Sequence, residues 1–187
     1  TMIFGAVAAI GQRDIKRILA FSSIAHAGFL LIAVVALNQG ALAAALFYFA
    51  IYGFATIGAF GVVTLVRDSA GEVTDVNRWV GLGKKSPIVA TVFSLFLLSF
   101  AGIPLTAGFV GKFGLFTSAY VTGHIYLVIA GVLSSAIAVF FYARIILMLF
   151  LSDANGDTAV SVVIPSIMTR IAIGVCAVIT LLLGIWP

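Results

Sequence analysis

The chain has 187 residues, of which 63% are hydrophobic and 9% charged, with a net charge of +4 and a mean hydropathy of +1.28. That balance leaves too few polar side chains to cover a water-soluble surface, and it specifies a polytopic membrane protein. The basic residues form no aromatic-interleaved patch for nucleic acid, and the single cysteine, Cys176, excludes an internal disulfide or a thiolate-held metal cluster built by this chain alone.

The chain opens inside an apolar run, residues 1–11, too short to cross a bilayer and without a basic flank. It reads as the tail of a helix begun earlier. The connector that follows holds Arg13, Asp14, Lys16 and Arg17, and Asp14 is expected to form a local ion pair there. Residues 18–37 make one bilayer-length span, Asn38-Gln39-Gly40 a tight turn, and residues 42–66 a span long enough to cross with some tilt. Residues 67–87 read as a surface connector of mixed charge, with Trp79 placed as an interfacial anchor.

Residues 88–122 are the most informative segment. As one straight helix they would run about 52 Å, against a bilayer core of roughly 30 Å. At their centre stands Gly102-Ile103-Pro104-Leu105-Thr106-Ala107-Gly108. Pro104 removes a backbone donor and disfavours helix at Ile103, and the glycines loosen the chain on either side. The segment reads as a membrane helix broken at depth, with Lys112, its one charge, just past the break. Broken helices persist in lipid only where protein or a wet cavity satisfies the freed backbone groups.

After Thr122-Gly123-His124, with His124 incidental at the boundary, residues 124–151 form a span and residues 152–165 a connector. The last span is 163–186, ending at Trp186, a second interfacial anchor. The expected fold class is all-α and polytopic: a single membrane domain over 1–187 with about five transmembrane helices plus a partial one. Both ends look cut, and the chain reads as a fragment of a longer protein. Arg13, Lys16, Arg17, Arg67, Arg78, Lys84, Lys85 and Arg170 fall on one side of this topology and no Lys or Arg on the other, which makes the charged side cytoplasmic.

Lys112 leads the candidate residues. A buried lysine is drawn toward its neutral form by lost water and back toward charge by any carboxylate nearby, so it can carry a proton. It can equally cap orphan carbonyls at the break or snorkel outward. His26, about 12 Å into its span, suits a proton relay, with Ser22 one turn away as a partner; it also suits plain helix–helix adhesion beside Gly28. Tyr48, Tyr52 and Thr56 recur every four residues, as a polar pathway or a packing stripe would. Arg144 stands seven residues from the charged end of its span, where it could snorkel to the interface or equally belong to the same polar pathway. All six acidic residues lie in the charged loops, so a carboxylate tuning Lys112 must come from elsewhere. No nucleotide, hydrolase or metal-ligand pattern is present.

Two long segments carry a resemblance: residues 13–28 (RDIKRILAFSSIAHAG) and 99–113 (SFAGIPLTAGFVGKF). Both resemble signatures of the antiporter-like, proton-translocating membrane subunits of NADH–quinone oxidoreductase, respiratory complex I. The Gly-Lys-Phe after the break, with residues 51–62 and 135–144, is most similar to the subunit N branch of that family. The resemblance implies fourteen membrane helices in two inverted five-helix repeats, of which this chain looks like the end of helix nine through helix fourteen. It implies that Lys112 is the terminal proton carrier of a half-channel and His26 a polar position near the central axis. Larger members carry ionisable residues where this chain has Tyr48, Tyr52 and Thr56, a departure from those paralogues. The resemblance further implies that the chain binds no cofactor itself, while NADH, FMN, iron–sulfur clusters and quinone belong to other subunits, and that its partners are other membrane subunits in a bacterial inner membrane.

The function expected is proton pumping driven by quinone reduction elsewhere in the complex. Two other readings stand: a subunit of a multi-subunit cation/proton antiporter, and a non-conducting assembly scaffold.

Overall fold

The computed structural model describes residues 1–151, 161–163 and 166–186; the rest of the 152–165 connector, and Pro187, lie outside them. Eight helices carry the described chain: α1 (Met2–Ile10), α2 (Ile15–Ala36), α3 (Gln39–Leu65), α4 (Leu82–Lys85), α5 (Pro87–Ala101), α6 (Ala107–Val121), α7 (Ile125–Phe150) and α8 (Ile167–Ile185). By length and composition α2, α3, α7 and α8 are each able to cross a membrane. The half-helices α5 and α6 have 15 residues each, about 22 Å apiece, so neither is long enough to cross a bilayer core of roughly 30 Å alone.

Local chemistry sets the boundaries. Asp14 caps α2 by accepting from the Arg17 amide at 3.0 Å, and Asn38 caps α3 by accepting from Ala41 at 2.7 Å, which lets two long helices meet in a two-residue hairpin. Pro87 opens α5 at a position where a missing N–H costs nothing.

The interior forms two apolar clusters at different depths. One, toward the charged end, is built on Phe93, Phe96 and Leu97 of α5, against the second half of α3 and the end of α7. The other, toward the opposite end, joins Phe29 and Ile32 of α2 to Tyr48 of α3 and Leu115 of α6. Lys112 and His26 are buried between them.

The charged end departs from a plain surface connector. Val66–Asp68 (β1) pairs antiparallel with Gly71–Glu72 (β2) and with Ser161–Val162 (β3), and a 3-10 turn, Val76–Trp79, follows. Ile15 and Val76 exchange backbone bonds with Thr74 and Arg13, tying the first connector to the longer one. Lys16 and Arg67 both pair with Glu72, and Arg78 with Asp68 at 2.6 Å.

Two expectations are corrected here. Asp14 makes hydrogen bonds in place of a local ion pair: besides capping α2 it accepts from the Thr74 hydroxyl at 2.5 Å. Trp79 is no interfacial anchor. It is 1% exposed, donates its indole N–H to the Val73 carbonyl at 2.7 Å and lies against Phe93, centroids 5.2 Å apart. With its N–H hydrogen-bonded, the indole is buried without leaving a polar atom unsatisfied. Trp186, by contrast, is exposed.

Candidate functional site

The site is the break and what fills it. The last four carbonyls of α5, from Leu98 to Ala101, have no following turn to bond. Gly102 takes φ 79°, ψ 41°, which suits a residue without Cβ. Its amide and that of Ile103 then return to Leu98 and Ser99 at 3.0–3.2 Å, the Schellman arrangement. The carbonyls of Phe100 and Ala101 are left over. Lys112, one and a half turns into α6, donates to both, at 2.8 and 3.2 Å.

The break spans residues 102–106, and Pro104 stands exposed in it. Leu105 is left-handed at φ 72°, a conformation costing an L-residue about 1–2 kcal/mol. On the far side, Gly108 donates its amide to Ser99 Oγ at 3.2 Å. A Cβ on Gly108 would run into the Ser99 backbone carbonyl, so the half-helices approach this closely only through a glycine.

Lys112 is 4% exposed. Its ammonium meets two carbonyls at the negative end of the α5 dipole and, at 4.7 Å, the face of the Phe29 ring. The described carboxylates sit at the charged end: Asp14, Asp68 and Glu72 in the capping and sheet contacts given above, and Asp75 accepting from the Asn77 amide at 2.9 Å.

His26 is also 4% exposed. Its Nδ1 shares a hydrogen bond with the Tyr48 hydroxyl, 2.5 Å away, and its ring stacks on Tyr52, centroids 4.3 Å apart. Phe29 and Phe100 flank it at 6.0 and 5.6 Å, and the same two residues meet Lys112 through a ring face and a carbonyl. Tyr52 donates to Ser23 Oγ at 2.6 Å.

Ser22 does not bond His26. It shares a short hydrogen bond with the Tyr142 hydroxyl of α7, so the expected pair is replaced by two: Ser22 with Tyr142, His26 with Tyr48. Thr56 extends the stripe of Tyr48 and Tyr52, and its buried hydroxyl has no partner among the described residues. Arg144 is not brought into this layer. It is exposed on α7 and lines, with Gln12, Arg13 and Asn77, a niche at the charged end.

Sequence reasoning passed over Ser23, Phe29, Ser99 and Tyr142. For Tyr142 a signal existed: a hydroxyl in mid-span, inside residues 135–144, which carried the resemblance. Beside it an otherwise apolar groove of about 190 Å³, lined by Leu98, Ala101, Ile103 and Ile146, flanks the break. Among the described residues no three His, Cys, Asp or Glu side chains gather as metal ligands do.

Residues 1–138 match the family described as NADH:quinone oxidoreductase/Mrp antiporter, TM. NADH-quinone oxidoreductase subunit N of Rhodococcus opacus (strain B4) is 56% identical over the whole chain, which covers 34% of that relative. The subunit N of Thermobifida fusca (strain YX) is 52% identical, again over all of this chain and 34% of its own. The chain thus spans about a third of the length of these curated relatives. Among solved structures, a chain of respiratory complex I from Thermus thermophilus superposes with a TM-score of 0.85 at 30% identity, over 100% of this chain and 41% of that one. A chain of the Mrp complex from Dietzia sp. DQ12-45-1b, 23% identical, shares the fold with a TM-score of 0.82 over 98% of this chain and 42% of its own.

Proposed function

The chain belongs to the NADH:quinone oxidoreductase/Mrp antiporter membrane-subunit family, and from that premise we propose that it is a proton-translocating part of a subunit of NADH–quinone oxidoreductase. The names of the relatives at 52–56% identity support this complex over a cation/proton antiporter. The observation that carries the reading is Lys112: an amine buried beside a break at membrane depth, bound by carbonyls of the same break. An ionisable group so placed marks an ion path.

In this reading Lys112 takes up and releases a proton at the end of a half-channel, and His26, held by Tyr48 and stacked on Tyr52, relays protons to it. Ser22, Tyr142, Ser23 and Thr56 extend the polar layer sideways through α2, α3 and α7. The carboxylate that balances Lys112 comes from the rest of the subunit or from a neighbour. Quinone reduction, with NADH, FMN and iron–sulfur clusters, takes place in other subunits, and its energy arrives as shifts of charge and hydration. The charged end, with the three-stranded sheet, faces the cytoplasm of a bacterial inner membrane, and Lys112 exchanges its proton with the opposite side.

The test is proton pumping measured against quinone reduction in sealed vesicles, using the complete complex with Lys112→Ala in the complete subunit. Normal assembly with reduced pumping supports the reading. Unchanged protons per electron would make Lys112 structural and this part of the subunit a scaffold.

A further inference from the structure

The last turn of α8 lies against the break. A Cβ built on Gly184 would stand 2.6 Å from the Leu105 carbonyl oxygen, 2.7 Å from the Ala107 amide nitrogen and 2.7 Å from the Thr106 carbonyl carbon. All three are backbone atoms, which cannot swing aside as a side chain does, so even a methyl group there forces the break and the end of α8 apart. Gly174, on the same helix, meets nothing within 4 Å. The close seat is therefore particular to Gly184.

Leu105 needs such a seat. Its backbone is left-handed at φ 72°, yet its side chain is 76% exposed, so packing of its own side chain does not hold the conformation. A strained residue persists only where its surroundings over-determine it. Here the surroundings include the backbone of α8. Ala107 opens α6, and Lys112 stands five residues on along the same rigid helix, so displacement at Ala107 carries the amine with it.

We infer that Gly184 is a positioning residue for Lys112: the end of α8 holds residues 105–107 in their turn, and through them sets Lys112 against the Phe100 and Ala101 carbonyls. The inference rests on the reading of Lys112 as a proton carrier.

The experiment places Gly184→Ala, Gly174→Ala, Lys112→Ala and the double variant Gly184→Ala/Leu105→Gly in the complete subunit, in the assembled complex in sealed vesicles. The readouts are protons pumped per quinone reduced and the pH profile of pumping. Gly184→Ala is expected to lower the ratio about three- to tenfold and to shift the profile, because small misplacements at a reacting group are expensive. Gly174→Ala leaves both unchanged. Leu105→Gly restores most of the loss, because glycine lets the displaced turn take other backbone angles. Unchanged pumping in Gly184→Ala beside a failing Lys112→Ala overturns this inference and leaves the proton-carrier reading standing. Unchanged pumping in Lys112→Ala overturns both. A defect in Gly184→Ala that Leu105→Gly does not relieve is a packing effect, and it too overturns the positioning role. Should Gly184→Ala not assemble, the double variant decides: restored assembly supports the inference, and continued failure overturns it.

Discussion

His26 on α2 and Tyr48 on α3 share a hydrogen bond of 2.5 Å in a buried layer, and that bond engages one imidazole nitrogen, Nδ1, and leaves the other to a different partner. A histidine presents its two nitrogens differently, and the partner of one decides the role of the other. Tyr48→Phe keeps the ring and removes the constraint. It is expected to lower pumping several-fold, in line with the roughly 1 kcal/mol carried by such a bond. Tyr52→Phe, which loses a bond to Ser23 and keeps the stack on His26, is expected to do less. Equal losses in the two variants, measured as protons per electron in vesicles, would remove the special place given to Tyr48.

Stability and transport should separate at Lys112. Lys112→Met strands the Phe100 and Ala101 carbonyls, at about 1–3 kcal/mol for each buried group left unsatisfied. Lys112→Arg retains donors and charge and is expected to recover most of that stability, while its guanidinium, which stays protonated, does not recover pumping. Thermal unfolding of the purified complex beside vesicle pumping tests both halves. An arginine variant that pumps normally would sink the proton-carrier reading.

The indole of Trp79 offers a test of the charged end. Trp79→Ala is expected to destabilise the subunit by about 3–5 kcal/mol, as large aromatic deletions in cores do. Trp79→Phe fills most of the space and loses the bond to Val73, about 1 kcal/mol. Denaturant or thermal melting of the two variants checks the order. A surface-anchoring tryptophan would tolerate both changes.

Acid should loosen the same end. The Lys16 ammonium bonded to Glu72 holds that carboxyl below its ordinary value of 4.5. The Arg78 guanidinium, with the Ala70 amide, does the same for Asp68, ordinarily 3.8. Burial pushes Asp14 up, but the Thr74 hydroxyl and the Arg17 and Lys16 amides together bring it below 3.8. Each value is lower folded than unfolded, so this stabilisation is complete above the ordinary values and is lost as pH falls through and beneath them. Amide exchange across residues 66–76, corrected for the intrinsic effect of pH, is expected to rise below about pH 4, and Glu72→Gln should reproduce part of the rise at neutral pH. Exchange that stays flat to pH 3 would show that the carboxylates do not hold the sheet.

What could be read from residues alone was whatever local chemistry decides. The break was legible because Pro104 and its flanking glycines act on their own backbone, and the burial of Lys112 because no polar run surrounds it. The two alternatives for the amine, carrier or cap, were not separable from sequence; the geometry adds its bonds to the Phe100 and Ala101 carbonyls, which both alternatives accommodate. Partners distant in the chain were hidden: Ser22 and Tyr142 are 120 residues apart, and a helix period names a face without naming what meets it. The sheet escaped because its strands are two or three residues long and one comes from beyond α7, too short for alternation to register. Trp79 was misplaced because a tryptophan near a span end has the same composition signature whether its ring faces headgroups or a core.

Lys112 rides on one half-helix and is bonded to the end of the other, so it is a joint as well as a charge. A charged donor binds a carbonyl about twice as strongly as a neutral one, and the grip between α5 and α6 therefore depends on whether the proton is present. Such dependence is reciprocal by thermodynamic necessity: a pull that strains the joint and a change in the proton's occupancy are two handles on one free energy. In the proton-carrier reading, a displacement arriving through the helices is converted into a proton event at Lys112, and a proton event back into displacement, with no further part in between.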